Sequence, residues 1–138
     1  MSNFTDYCKQ LGLSLDARHD HLKQYEYFES LGIGEIRNYH INSFREGSSA
    51  KFENLWLFTD KFCIEIIETQ SDHAIIIYNK DDITRVKFIP SHFHHQKFDQ
   101  LENLTIELSL STGDILKFNA FYDNCPNLLD CMKTHFLS

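Results

Sequence analysis

Leu104-Thr105-Ile106-Glu107-Leu108-Ser109-Leu110-Ser111 alternates apolar and polar residues without a slip, and Thr112-Gly113-Asp114 separates it from a further run, Ile115 to Phe121. A period of two turns Leu104, Ile106, Leu108 and Leu110 to one face of a strand and Thr105, Glu107, Ser109 and Ser111 to the other, so one face is core and one is wet. Directly afterwards Asp123 or Asn124 can cap a helix, Pro126 suits its first turn, and Leu128, Leu129, Met132 and Phe136 form an apolar stripe. The chain is therefore expected to finish as strand, turn, strand and docked helix.

Working toward the N-terminus, the same texture of β-branched and aromatic runs broken by turn residues gives five earlier strands. These are 35–44, 54–59, 62–69, 73–78 and 83–89, the last ended by Pro90, which cannot donate to a ladder and so marks an edge or an end. A polar loop, Arg45 to Ser49, follows the first, and Asp60-Lys61 makes a tight hairpin between the second and third. Before residue 35 the period changes. Phe4, Tyr7, Cys8 and Leu11 lie on one helical face ahead of Gly12, and Leu15, Leu22, Tyr25, Phe28 and Leu31 recur at near-helical spacing after a cap at Ser14 or Asp16. The expected architecture is α+β, mainly β: a seven-stranded antiparallel barrel capped by a C-terminal helix, with N-terminal helices. Residues 1–138 read as a single domain, 1–34 a helical extension and 35–138 the barrel with its helix. The extension is expected to cover a sheet edge that would otherwise invite aggregation.

With 138 residues, 42% of them hydrophobic and 14% aromatic, the chain can bury a core without a metal or disulfide framework. Thirteen Lys+Arg against 20 Asp+Glu give a formal charge of -7, and no window gathers the basic stripe that phosphate backbones require, so no nucleic-acid partner is expected. The longest uninterrupted apolar stretch, Ala74 to Tyr78, is far too short to span a bilayer, and the N-terminus lacks a basic flank followed by a long apolar run. No membrane insertion and a cytoplasmic location are the expectations. Cys8, Cys63, Cys125 and Cys131 form no C-x-x-C pair and are read as reduced thiols.

Seven short strands followed by one amphipathic helix resembles the pleckstrin-homology-like superfold over residues 35–138. The run Leu55-Trp56-Leu57-Phe58-Thr59-Asp60-Lys61-Phe62 and the segment Ile83-Thr84-Arg85-Val86 look like pieces of its bacterial members, and the general shape is similar to small uncharacterised bacterial proteins. The resemblance implies a scaffold that binds at open strand edges or loop ends. It does not imply phosphoinositide binding: the phosphoinositide-binding members carry several basic residues around the first hairpin, where this chain has Arg45 and Lys51 with Glu46 between. The tryptophan common in the family's C-terminal helix is absent too, Trp56 being the only one.

Side chains with chemistry are scattered. Ser91-His92-Phe93-His94-His95 gathers three of eight histidines, and in an extended segment His92 and His94 would share a face, with Asp99 as an oxygen ligand for a metal; a solvated loop is the plainer reading. The imidazoles of His19-Asp20-His21 diverge on a helix and read as surface. Asp72 and the pair Asp81-Asp82 read as turn chemistry. Cys125, just before Pro126, lies where a helix macrodipole favours thiolate, although no histidine adjoins it in sequence. Phosphate-loop, dinucleotide, nucleophile-elbow and zinc-protease motifs are all missing. The sequence thus leads to a non-catalytic interaction module whose partner is a protein segment or a second copy of the chain, with no cofactor. The alternative is a small-molecule or metal-binding protein using the His92, His94 and His95 loop.

Overall fold

The computed structural model describes residues 2–46, 49–68, 72–92 and 101–137 and, for all but 2, 91, 92, 101 and 102, their side chains. Two helices, α1 (Ser2–Gln10) and α2 (Leu15–Ser30), precede strands β1 (Asn38–Glu46), β2 (Ser49–Phe58), β3 (Phe62–Glu68) and β4 (His73–Asn79). A 3₁₀ turn, Lys80–Asp82, leads to β5 (Ile83–His92), β6 (Leu101–Leu110), β7 (Ile115–Phe121) and the closing helix α3 (Asn124–His135). All pairings are antiparallel, in a four-stranded sheet β1-β2-β3-β4 and a three-stranded sheet β5-β6-β7. The α+β, mainly β class, the seven strands and all three helices are as the sequence predicts. The strands do not close into a barrel; they remain two sheets.

Local chemistry explains most boundaries. Ser14 caps α2 by accepting the Ala17 amide at 3.2 Å. Gly113 takes φ +97° in the β6–β7 turn, a conformation that glycine adopts without steric cost. β5 does not stop at Pro90 but runs on to His92, with Pro90 opposite Leu104. It can do so because β5 is an edge strand, where the missing N–H can face away from the ladder. Asp123 stands at the cap position of α3 without a side-chain cap bond, while Asn124 is buried and employed elsewhere.

Within the four-stranded sheet, the central residues of β2 and β3 are covered on both faces. Leu55, Leu57, Ile64 and Ile66 face a cluster built with Phe4, Tyr7, Cys8, Tyr25 and Phe28 of the N-terminal helices. Trp56, Phe58 and Cys63, the alternate residues, face Leu104, Ile106, Leu108 and Phe118 of the other sheet and Leu128, Cys131 and Met132 of α3. This double burial makes Leu55-Trp56-Leu57-Phe58 a continuous apolar run instead of an alternating one. The N-terminal helices therefore lie against a face of the sheet rather than along an edge.

Where β1 passes β7, side chains span the join between the sheets. Asn42 Oδ1 accepts the Asn119 amide at 3.2 Å, Ser43 Oγ accepts the Phe121 amide at 3.0 Å, and His40 Nε2 donates to the Asn119 carbonyl at 3.0 Å. Main-chain groups of β1 are satisfied in the same way. The Ile41 amide donates to the Tyr7 hydroxyl at 2.9 Å, and the Ile41 carbonyl accepts from Asn124 Nδ2 at 2.7 Å. Tyr7 in turn donates to Asn124 Oδ1 at 2.6 Å, and the Tyr39 carbonyl accepts from Asn127 Nδ2 at 2.8 Å.

Two consequences are measurable. Asn124→Ala strands the Ile41 carbonyl and the Tyr7 hydroxyl in the interior and is expected to cost about 3 kcal/mol, against about 1–2 kcal/mol for Tyr7→Phe. Urea unfolding reads both, and the double variant should lose less than the sum because the groups share one network. His40 is fully buried, and burial pushes its imidazole down to about 4, against the smaller opposing effect of its bond to Asn119. The unfolded chain therefore takes up a proton first as the medium is acidified. The stability contributed by His40 is full above about pH 6.5, falls from there to about pH 4 with a limiting slope of about 1.4 kcal/mol per pH unit, and is lost below. Unfolding curves between pH 7 and pH 4 should show that slope reduced in His40→Gln.

Candidate functional site

The β2–β3 ladder ends at Leu55 opposite Ile66, yet β2 continues along β1 to Ser49 and β3 continues along β4 to Glu68. The two hairpins part there like the prongs of a fork. One cause lies in β1–β2, whose register slips by one residue between Ile41 and Ser43, so that Asn42 is opposed by both Glu53 and Asn54. Such a bulge bends the strand and turns it away from its neighbour.

The fork holds a cleft of about 550 Å³, bordered by Phe52, Glu53 and Asn54 of β2 and by Glu65, Ile66, Ile67 and Glu68 of β3. Successive residues of a strand point to opposite faces, so their joint presence in one space means a gap between strands, not a groove on one face. Helix α2 borders the gap with Ala17, Asp20, His21 and Gln24. Its volume falls within the range of ordinary ligand pockets.

Hydrogen bonds fix the walls. On the helix side His21 Nδ1 meets Gln24 Oε1 at 3.0 Å, and Gln24 Nε2 meets His73 Nδ1 at 3.3 Å, so a buried amide ties α2 to β4. This assigns the proton of His21 to Nδ1 and leaves Nδ1 of His73 as an acceptor. Burial holds the His21 imidazole below its usual range, against smaller raising effects from Gln24, Asp20 and Glu68. On the sheet side Asn42 Nδ2 donates to Asn54 Oδ1 at 3.2 Å, and Asn54 Nδ2 donates to a Glu65 carboxylate oxygen. The bulge thus sets the position of Glu65, a half-buried carboxyl that desolvation raises above the ordinary range and its contact with Tyr78 partly lowers. Asp20, Glu53, Glu65 and Glu68, and no Lys or Arg, occur among the described residues lining the cleft.

A second polar cluster joins α3 to the turn before β5. Lys80 Nζ donates to His135 Nδ1 at 2.6 Å, and His135 Nε2 lies 2.7 Å from Asn38 Oδ1. Burial, helped by the Lys80 ammonium, pushes this imidazole down to about 4. It is a neutral link at neutral pH, stacked on Phe58.

The residues singled out in sequence fare unevenly. His94, His95 and Asp99 lie outside the described residues, and of the metal candidate His92 only the backbone is described, paired with Leu101 at the end of β5. No group of three or more His, Cys, Asp or Glu side chains among the described residues is placed to hold a metal ion. Asp72 serves a turn, its Oδ1 accepting the His73 amide at 2.8 Å, whereas in the Lys80–Asp82 turn the capping side chain is Asn79, whose Oδ1 accepts the Asp81 amide at 3.1 Å. The two imidazoles flanking Asp20 do diverge, but His21 is drawn into the cleft wall instead of remaining on the surface. Sequence offered one signal for that, the i, i+3 spacing of His21 and Gln24, which makes them neighbours on a helix.

Cys125 does not become a thiolate. Burial, with the Asp123 carboxylate adding to it, pushes the thiol up to about 11, which outweighs the helix N-terminus. Cys8 is likewise pushed up to about 11 by burial, and all four cysteines are free and buried. A bulky aromatic disulfide reagent at pH 8 should therefore label none of the four within minutes in native protein, and all four in urea.

No family model and no curated protein matches the chain. A solved structure, the C-terminal domain of an unknown protein from Leishmania infantum, is similar with a TM-score of 0.48 at 17% identity, covering 82% of this chain and 94% of that one. Among the described residues no helix is long and apolar enough to cross a membrane.

Proposed function

We propose that this chain is a non-catalytic interaction module that holds an extended segment of a partner protein in the cleft between the β1–β2 and β3–β4 hairpins. The observation that carries the reading is the early end of the β2–β3 ladder, which leaves Phe52-Glu53-Asn54 and Ile67-Glu68 unpaired with one another across the cleft. Strand edges of this kind supply main-chain donors and acceptors to an added strand, while neighbouring side chains give selectivity. The rim is braced by two contacts, the bond between Gln24 of α2 and His73 of β4 and that between Asn42 of β1 and Asn54 of β2, so little ordering would be left for binding. The reading accords with the pleckstrin-homology-like order of seven strands and a helix, and it takes the protein to act in the cytoplasm. Among the described residues, burial holds the Cys125 and Cys131 thiols protonated, and His135 Nδ1 is already occupied by Lys80.

Selection from a random heptapeptide library displayed on phage, followed by titration of the winning peptides into isotope-labelled protein, tests this. Amide shifts should concentrate at 52–54 and 66–68, and Ala17→Phe, which fills the cleft from α2, should weaken binding at least about ten-fold. A selection that yields nothing, or shifts confined to other parts of the molecule, would refute the proposal.

A further inference from the structure

We infer, resting on the segment-capture reading above, that the segment taken into the cleft is cationic, carrying more than one Lys or Arg. Asp20, Glu53, Glu65 and Glu68 come from three separate elements around one space, and no Lys or Arg lies among the described residues that line it. Their spread suits a chain more than a point charge. Glu65 and Glu68 are three residues apart on one strand, about 10 Å, and point to opposite faces, a separation that an extended segment spans and one compact cation does not. The protein as a whole carries a formal charge of -7, so its field draws a basic segment toward the cleft before contact is made.

Glu65 is the residue on which selectivity turns. It is directly opposite Trp56 in the ladder, at the last but one pair before the strands part, and its carboxylate is held in place by Asn54 and approached by the Tyr78 hydroxyl. A half-buried carboxylate without a basic neighbour in the cleft gains most from an arriving ammonium or guanidinium, since water screens the pair least there. Asp20, Glu53 and Glu68 are exposed and add a smaller, salt-sensitive attraction.

The test uses the full chain and three acetylated, amidated octapeptides in which Thr alternates with Lys, Gln or Glu, titrated by NMR in low salt. The Lys peptide is expected to bind at least about ten-fold tighter than the Gln peptide, the Glu peptide weakest, with shifts at 52–54 and 66–68. In 0.5 M NaCl the Lys advantage should shrink to about two- or three-fold, because exposed charge is screened. Glu65→Gln, which keeps the hydrogen bond to Asn54, should reduce Lys-peptide affinity about five-fold and leave the Gln peptide unchanged. Equal binding of the Lys and Gln peptides at the cleft overturns the cationic assignment while segment capture stands. If none of the three binds to millimolar concentration and the phage selection also fails, both ideas fall together. If spermidine binds the cleft and the Lys peptide does not, the site takes small amines and the peptide assignment is overturned.

Discussion

A strand at the side of a sheet must find partners for its outward main-chain groups, and in this protein β1 finds them in side chains. Tyr7, Asn124 and Asn127 satisfy the amide and carbonyl of Ile41 and the carbonyl of Tyr39, while Asn42 and Ser43 reach across to amides of β7. An unpaired buried peptide group costs on the order of 1–3 kcal/mol, so each of these side chains is held to its rotamer by the penalty for leaving. The arrangement fixes α1, α3 and the second sheet relative to β1. Two sheets held by side chains keep an independence of twist that a closed barrel denies them.

Because β2 and β3 are covered on both faces over their central residues, they have no wet side there, and this governs what the sequence reveals. Alternation in β6 was plain because Thr105, Glu107 and Ser109 look away from the core. In β2 the unbroken Leu55-Trp56-Leu57-Phe58 announced a strand but concealed that its odd and even residues enter different cores. The role of residues 1–34 was hidden for the same reason: only knowledge of two apolar faces says where two helices must go. Leu15, counted in the helical stripe, is 75% exposed, since the part of α2 that meets the sheet is centred on Tyr25 and Phe28.

The cleft was harder to foresee. It depends on where a ladder stops, a property of pairing that neither period nor propensity encodes, and on a bulge whose residues, Asn42, Glu53 and Asn54, look unremarkable in a strand. Polar residues there read as a solvated face. Histidine density is highest at 91–95, while the histidines that border or brace the cleft are His21, whose neighbour His19 points elsewhere, and His73, which stands alone in sequence. At Cys125 the local rule about helix termini was sound in direction and lost to burial.

The bond between Tyr7 and Asn124 spans 117 positions of chain. A ribosome delivering residues at about 5–20 per second completes α1 many seconds before the asparagine that receives its hydroxyl emerges. Through that interval Phe4, Tyr7, Tyr25 and Phe28 have no sheet to cover, and the helical segment must wait as a loosely ordered, apolar nascent chain. Contacts so distant in sequence slow the closing step of folding after release as well. Cellular yield of this protein should then depend on chaperone capacity and translation speed more than its final stability would suggest.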